Sequence, residues 1–308
     1  MRARRLALIA AAALAVIAAA GVLVGCGPAP AGESGTEIIS AAEALELLGG
    51  DGVVLVDARP TLDYRETHVE GAVSIARADI VVLTPFPNML APAEQIERVM
   101  GSRGISNETL VVVYDDNNNM DSARLWWTLK AYGHDEVQVV SGGMSALQAE
   151  GVTMTAEEPQ VTAATFTAEP LDESMIATMS EVRALVNEPQ ADMPLIDTRT
   201  ETEYLEEGTI PGSILIPYQE NNFGDGTYKP VNQIRILYIE NGIDLDSGAV
   251  MYCKTSIRGA QTYLALYNAG YRNLKLYDGA WVEWSANPMN EIYFEEPELI
   301  QLQASDNS

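Results

Sequence analysis

Residues 249–271 read AVMYCKTSIRGAQTYLALYNAGY, and the fold turns on how they are parsed. Ala249, Val250, Met251 and Tyr252 form a short apolar run with the length and composition of a buried strand. Cys253 follows at once, then residues 254–258, then Gly259. From Ala260 the apolar side chains recur at Ala260, Tyr263, Leu264 and Tyr267, which is helical spacing, and Gly270 is placed to end that helix in a left-handed conformation. A thiol between a strand tip and a helix start faces unpaired backbone N–H groups and the positive end of a helix dipole. Lys254 and Arg258 add positive charge beside it. Each of these features favours thiolate over thiol. Most free cysteines are simply small buried residues. Here the flanking cations tip the reading to a nucleophile in an anion cradle.

The loop Cys-Lys-Thr-Ser-Ile-Arg, set between an apolar strand and a helix, resembles the active-site loop of the rhodanese sulfurtransferases. YDGAWVEW at residues 277–284 is similar to that family's C-terminal signature. Asp-Thr-Arg followed by Glu-Tyr and Ile-Pro-Gly-Ser, within residues 197–213, is similar to the signature near the start of each rhodanese domain. The resemblance implies an α/β fold of tandem rhodanese-like domains, each a parallel five-stranded sheet with helices on both faces.

The chain begins with a targeting signal. Arg2, Arg4 and Arg5 form a charged region, and residues 6–24 are an unbroken run of apolar and small residues. The run ends in Leu23-Val24-Gly25-Cys26, which resembles the lipobox where a bacterial lipoprotein is cut and its new N-terminal cysteine acylated. An uncleaved membrane anchor is the alternative for a run of this length. The alanine content and the Gly/Pro/Ala/Ser-rich stretch beyond favour lipidation at Cys26, hence export and a lipid anchor to the cell envelope. Cys26 and Cys253 are the two cysteines, so no internal disulfide is expected. Without the signal arginines, 15 Lys and Arg face 44 Asp and Glu, a net charge of −29. That excludes nucleic acid as a natural partner and repels small anions at long range.

At 308 residues the chain has room for two sizeable cores. We divide it into a signal peptide (1–25), a tether (26–35), a first domain (36–150), a linker (151–175), a second domain (176–298) and a tail (299–308). In the first domain residues 38–48 carry helical spacing with Ser40 as a cap. Strands are expected at 53–57, after Gly71, at 110–114 and at 137–140, with a helix at 121–132. Strands alternating with helices predict a parallel sheet covered on both faces. Four landmarks then recur at a nearly constant offset: Asp57-Ala58-Arg59 with Asp197-Thr198-Arg199, Gly71 with Gly212, Tyr114 with Tyr252, and Gly143 with Gly279. The chain reads as two copies of one domain.

Duplication provides an internal control. Asp115 stands where the second copy has Cys253, and the following residues offer no thiol and no cation before Arg124. The first copy is therefore expected to be catalytically silent, with Trp126 and Trp127 placed to help bury an interdomain face. Asp57 with Arg59 and Asp197 with Arg199 are expected to be structural ion pairs, because they recur in a silent copy. His68, aligned near Thr209, is expected to be a hydrogen-bonded loop residue rather than a base.

The family resemblance implies that Cys253 takes the outer sulfur of a donor as a persulfide and passes it to a thiophilic acceptor such as cyanide or a thiol. The substrate-binding loop is Lys254, Thr255, Ser256, Ile257 and Arg258. No cofactor and no metal is implied. The basic residue after the cysteine leans towards thiosulfate, with 3-mercaptopyruvate as the second donor. The acidic residues Glu201, Glu203, Glu206 and Glu207 lie where some members place an arginine for donor anions. Phosphatases with a related loop carry their arginine six residues after the cysteine. Arg258 is five residues on, a tighter loop suited to sulfur. A binding or sensing lipoprotein that only traps persulfide is the remaining alternative.

Overall fold

The structure, a computed structural model, describes residues 35–295. The expected signal peptide and the expected lipidation site at Cys26 lie outside the described residues. The first sheet comprises β1 (Ile38–Ile39), β2 (Val53–Asp57), β3 (Val73–Ser74), β4 (Leu110–Tyr114) and β5 (Val137–Val140). The second comprises β6 (Ile176–Ala177), β7 (Leu195–Asp197), β8 (Ile214–Leu215), β9 (Ala249–Tyr252) and β10 (Leu274–Tyr277). Every pairing within both sheets is parallel. Spatial order is β1-β5-β4-β2-β3 in the first and β6-β10-β9-β7-β8 in the second, so the copies share one topology. Val111, Val112 and Val113 of β4 and all four residues of β9 are buried, as strands covered on both faces require.

The repeat extends to single hydrogen bonds. Ala58 N–H donates to the Tyr114 carbonyl, and Thr198 N–H to that of Tyr252. Gly71 and Gly212 both take positive φ, +83° and +79°. One landmark shifts by a residue. Met144 N–H donates to the Asp115 carbonyl and Trp281 N–H to the Cys253 carbonyl, which pairs Gly143 with Ala280 rather than Gly279. Gly143 and Ala280 both take positive φ, +51° and +56°, so the sequence match on glycine followed the residue type and missed the backbone.

One expectation needs correction. Residues 38–39 are a strand and not the start of a helix. Two β-branched residues pair with Val139 and Val140, and Ser40 caps the helix Ala41–Leu47 in a reciprocal box with Glu43. The linker 151–175 is docked onto the fold along its way. Met154–Thr155 pairs antiparallel with His68–Val69, and Phe166 is buried in the core.

Two helices join the domains, α1 (Met120–Ala131) and, across from it, Ile257–Asn268 of the second copy. Trp126 is fully buried, with its ring 6.2 Å from Tyr263 and 5.3 Å from Tyr267. Arg124 pairs with Asp278 at 2.8 Å, both buried. Asn268 Oδ1 accepts from the N–H groups of Glu37 and Ile38, pinning the start of the first sheet to the second domain. Apolar core runs without a break from Val113 and Trp126 to Met251 and Leu264.

Candidate active site

Cys253 leaves β9 and is 1 % exposed. The second domain contributes α2 (Glu201–Glu207) and α3 (Ile257–Asn268) to its surroundings. α3 starts at Ile257, three residues earlier than its apolar spacing predicts. Ile257 and Arg258 are thus the first two residues of the helix rather than loop. Ser256, in left-handed conformation at φ +65°, turns the chain into it, and its hydroxyl donates to the carbonyls of Tyr277 and Asp278. Gly259 lies against the β9 backbone. A Cβ there would stand 2.7 Å from Leu276 Cδ1, so glycine lets the helix seat closely. The N–H groups of residues 254–259 have no acceptor among the described residues, and they follow Cys253 directly, as the unpaired end of a helix. Lys254, Thr255 and Arg258 are partly exposed and line the approach.

The two cations of the loop are both held by α2. Arg258 makes a two-pronged pair with Glu203: Nη2 donates to Oε1 at 2.8 Å, and Nη1 donates to Oε2. Lys254 Nζ donates to both oxygens of Glu207 at 2.5 Å, and Arg199 Nη1 reaches the same carboxylate at 3.4 Å. Burial pushes the Glu203 carboxyl up, but the hydrogen bonds and charge of Arg258 outweigh it and bring it down to about 2. Arg258 is itself raised. Burial works against its charge, but Glu203 and the nearby Cys253 sulfur more than offset that cost. Sequence reasoning placed this acidic run near the donor site but did not see that it takes up both cations.

In the first copy the same cradle is occupied. Asp115 accepts from the N–H groups of Asn117 (2.9 Å), Asn119 (3.0 Å), Asp121 (2.8 Å) and Ser122 (2.8 Å), and from the Ser122 hydroxyl (3.0 Å). Burial drives this carboxyl above its ordinary range, against the pull of those donors. Asp121 and Ser122 are the second and third residues of α1, the places held by Arg258 and Gly259 in α3. The copy without a thiol has thus put a carboxylate where an anion is expected in the other. A cavity of about 580 Å³, lined by Ala58, Arg77, Asn88, Asp116, Asn117 and Asp121 among others, opens beside this loop. Asn88 connects the copies, since its Nδ2 donates to Thr255 Oγ1 at 2.9 Å.

The chain matches the rhodanese-like domain family over residues 40–150 and again over 178–287. It belongs to the rhodanese family. Among curated relatives, "Putative thiosulfate sulfurtransferase 1" of Mycobacterium bovis is 29% identical over 267 residues, covering 81% of this chain and 94% of its own. "Sulfur carrier protein TtuD" of Thermus thermophilus is 33% identical over 208 residues, 62% of this chain and 73% of that one. Among solved structures, the 3-mercaptopyruvate sulfurtransferase SseA of Escherichia coli superposes with TM-score 0.71 at 24% identity, covering 79% of this chain and 98% of that one. The wild-type structure of EanB gives TM-score 0.76 at 20% identity, over 85% and 70%. These two likenesses speak to the fold.

Both rhodanese copies carry the same ion pair. Arg59 Nη2 and Arg199 Nη2 each meet their aspartate at 2.7 Å and donate to a carbonyl, of Thr67 and Gly208, at 2.6 Å. Asp57 and Asp197 are fully buried and also accept from Tyr114 and Tyr252 hydroxyls. The same pairing thus recurs beside Asp115 and beside Cys253. His68 is buried, stacked on Tyr64 at 3.9 Å, with Nδ1 2.8 Å from the Tyr64 carbonyl. Sequence reasoning missed that Asn88 and Arg124 of the first domain reach across to Thr255 and Asp278 beside the Cys253 loop. Neither of the two sits in a local motif, and the contacts between the domains reveal them.

Proposed function

We propose that this rhodanese-family protein moves sulfane sulfur through a persulfide on Cys253. The observation that carries the reading is a buried thiol at a helix N-terminus whose counterpart in the silent copy is a carboxylate held by loop amides. In the forward step the thiolate attacks the outer sulfur of thiosulfate. The S–S bond breaks, its electron pair leaves with sulfite, and Cys253 keeps an anionic persulfide. Cyanide or a thiol then attacks the outer sulfur and regenerates the thiolate. The unpaired N–H groups of residues 254–259 would hold the anionic sulfur in both states. Lys254 beside the thiol supports thiosulfate as the donor, with 3-mercaptopyruvate second; the ion pair between Lys254 and Glu207 pulls the other way.

The test is intact mass of the soluble fragment beginning at Gly27, after exposure to thiosulfate, 3-mercaptopyruvate or polysulfide. One added sulfur atom on Cys253, removed by cyanide, is expected. Cys253→Ser should abolish both the adduct and turnover, because a hydroxyl does not ionise there without a base. Sulfur transfer by Cys253→Ser, or no adduct from any donor, would sink the enzyme reading and leave a binding or sensing role. We further propose that the chain is exported and acylated at Cys26, on the strength of Arg2, Arg4, Arg5 and the Leu23–Cys26 sequence. Cys26→Ala should then accumulate as an unprocessed precursor; normal processing and detergent partitioning of that variant would refute it.

A further inference from the structure

We propose that Glu203 and Glu207 are specificity-determining residues that cancel the two loop cations, so the site gives up most of the advantage its loop would offer a doubly charged donor such as thiosulfate and admits singly charged sulfane donors beside it. The inference rests on Cys253 being the sulfur acceptor. Its warrant is the pairing on α2. Positions 203 and 207 lie one helical turn apart and so share a face. From that face Glu203 engages Arg258 with both oxygens, and Glu207 engages Lys254 with both. Each loop cation is thereby matched by one carboxylate, and Arg199, which also reaches Glu207, is already committed to Asp197. The attractive field left for a donor is that of the N–H groups of residues 254–259, which a single charge saturates. The second charge of a dianion meets Glu203 and Glu207 at the mouth and a chain whose formal net charge is −26. The silent copy has the same economy, since its cradle is filled by the single charge of Asp115.

The two carboxylates therefore set donor choice without touching sulfur. A monoanion of the type R–SO2–S⁻ or R–S–S⁻ carries the same transferable outer sulfur as thiosulfate. Attack by the Cys253 thiolate breaks the same kind of S–S bond, and the electron pair leaves as sulfinate or thiolate in place of sulfite.

The experiment compares kcat/KM for thiosulfate and benzenethiosulfonate, a dianion and a monoanion with the same reacting atom, in the full soluble chain. Glu203→Gln keeps the hydrogen-bonding shape, including the reciprocal cap with Thr200, and removes the charge. The expected result is a rise of about tenfold for thiosulfate and only about threefold for the monoanion in Glu203→Gln, with a similar shift in Glu207→Gln, the ratio relaxing as salt screens the site. Glu206→Gln, on the exposed side of the same helix, should leave the ratio within about twofold, because the effect belongs to the clamp and not to overall charge. An equal change for both donors, or a fall for both, would mean that Glu203 only positions Arg258 and would overturn the proposal. If persulfide forms on Cys253 by mass but the ratio is fixed across variants, the specificity inference alone fails. Absence of persulfide with either donor fails the parent reading instead.

Discussion

Removing the Asp115 carboxylate strands four backbone amides and a hydroxyl in a site that is 1 % exposed. Unmet buried donors cost about 1–3 kcal/mol each where water cannot reach them, and partial relaxation recovers some of that. Asp115→Ala should therefore lower unfolding stability by about 2–4 kcal/mol while turnover per folded molecule stays near wild type. Denaturant titration and an active-site-normalised rate separate the two effects, and a large loss of kcat at full folding would contradict a silent first copy. Arg258→Ala acts in the opposite way. It removes the cation within electrostatic reach of Cys253 and leaves Glu203 unpaired at the mouth, so kcat for sulfur transfer should fall by about ten- to a hundredfold with little change in fold.

At the scale of elements, α2 and α3 are joined by the Glu203–Arg258 pair, and that link has a pH signature. Glu203 sits at about 2 in the folded chain against an ordinary value near 4.5. A depressed carboxyl adds stability that is fully present above its unfolded value and lost as pH falls through the folded one. Thermal unfolding of the wild type should thus weaken between about pH 4.5 and pH 2 more steeply than that of Glu203→Gln; parallel curves would show that the pair is decoupled from folding. This link was beyond the reach of sequence reading, because 55 residues separate Glu203 from Arg258 and 47 separate Glu207 from Lys254. What was legible is local or periodic: the β9–Cys253–α3 unit, the Asp-x-Arg pairs, and the duplication, whose repeated spacing reported two sheets of one topology. The errors have local causes as well. Ile38 and Ile39 fit a helical period as well as a strand and are only two residues long, so nothing but the pairing with β5 decides them. The start of α3 was set late because Ile257 and Arg258 fall outside the apolar stripe that begins at Ala260.

At the scale of the whole molecule the two rhodanese copies share one core, and that predicts how the chain unfolds. Trp126 of α1 is buried between Tyr263 and Tyr267 of α3, and its Nε1 donates to Glu37 at 2.9 Å. Nearby, Arg124 reaches Asp278 and the Asn88 carbonyl, while Leu90 N–H also donates to Asp278. Neither copy can leave without exposing an apolar helix face and breaking a buried ion pair, whose rupture by loss of one partner costs about 3–5 kcal/mol. Calorimetry should accordingly record one cooperative transition for residues 35–295. Trp126→Ala removes a buried indole at a cost of about 3–5 kcal/mol and should lower that single transition as a whole. Because Asn88 and Asp278 hold Thr255 and the Ser256 turn, the same variant should also loosen the Cys253 loop and depress kcat more than KM. Two separate transitions in the wild type would mean that the domains fold independently, and the brace between the first copy and the Cys253 loop would then carry no energy.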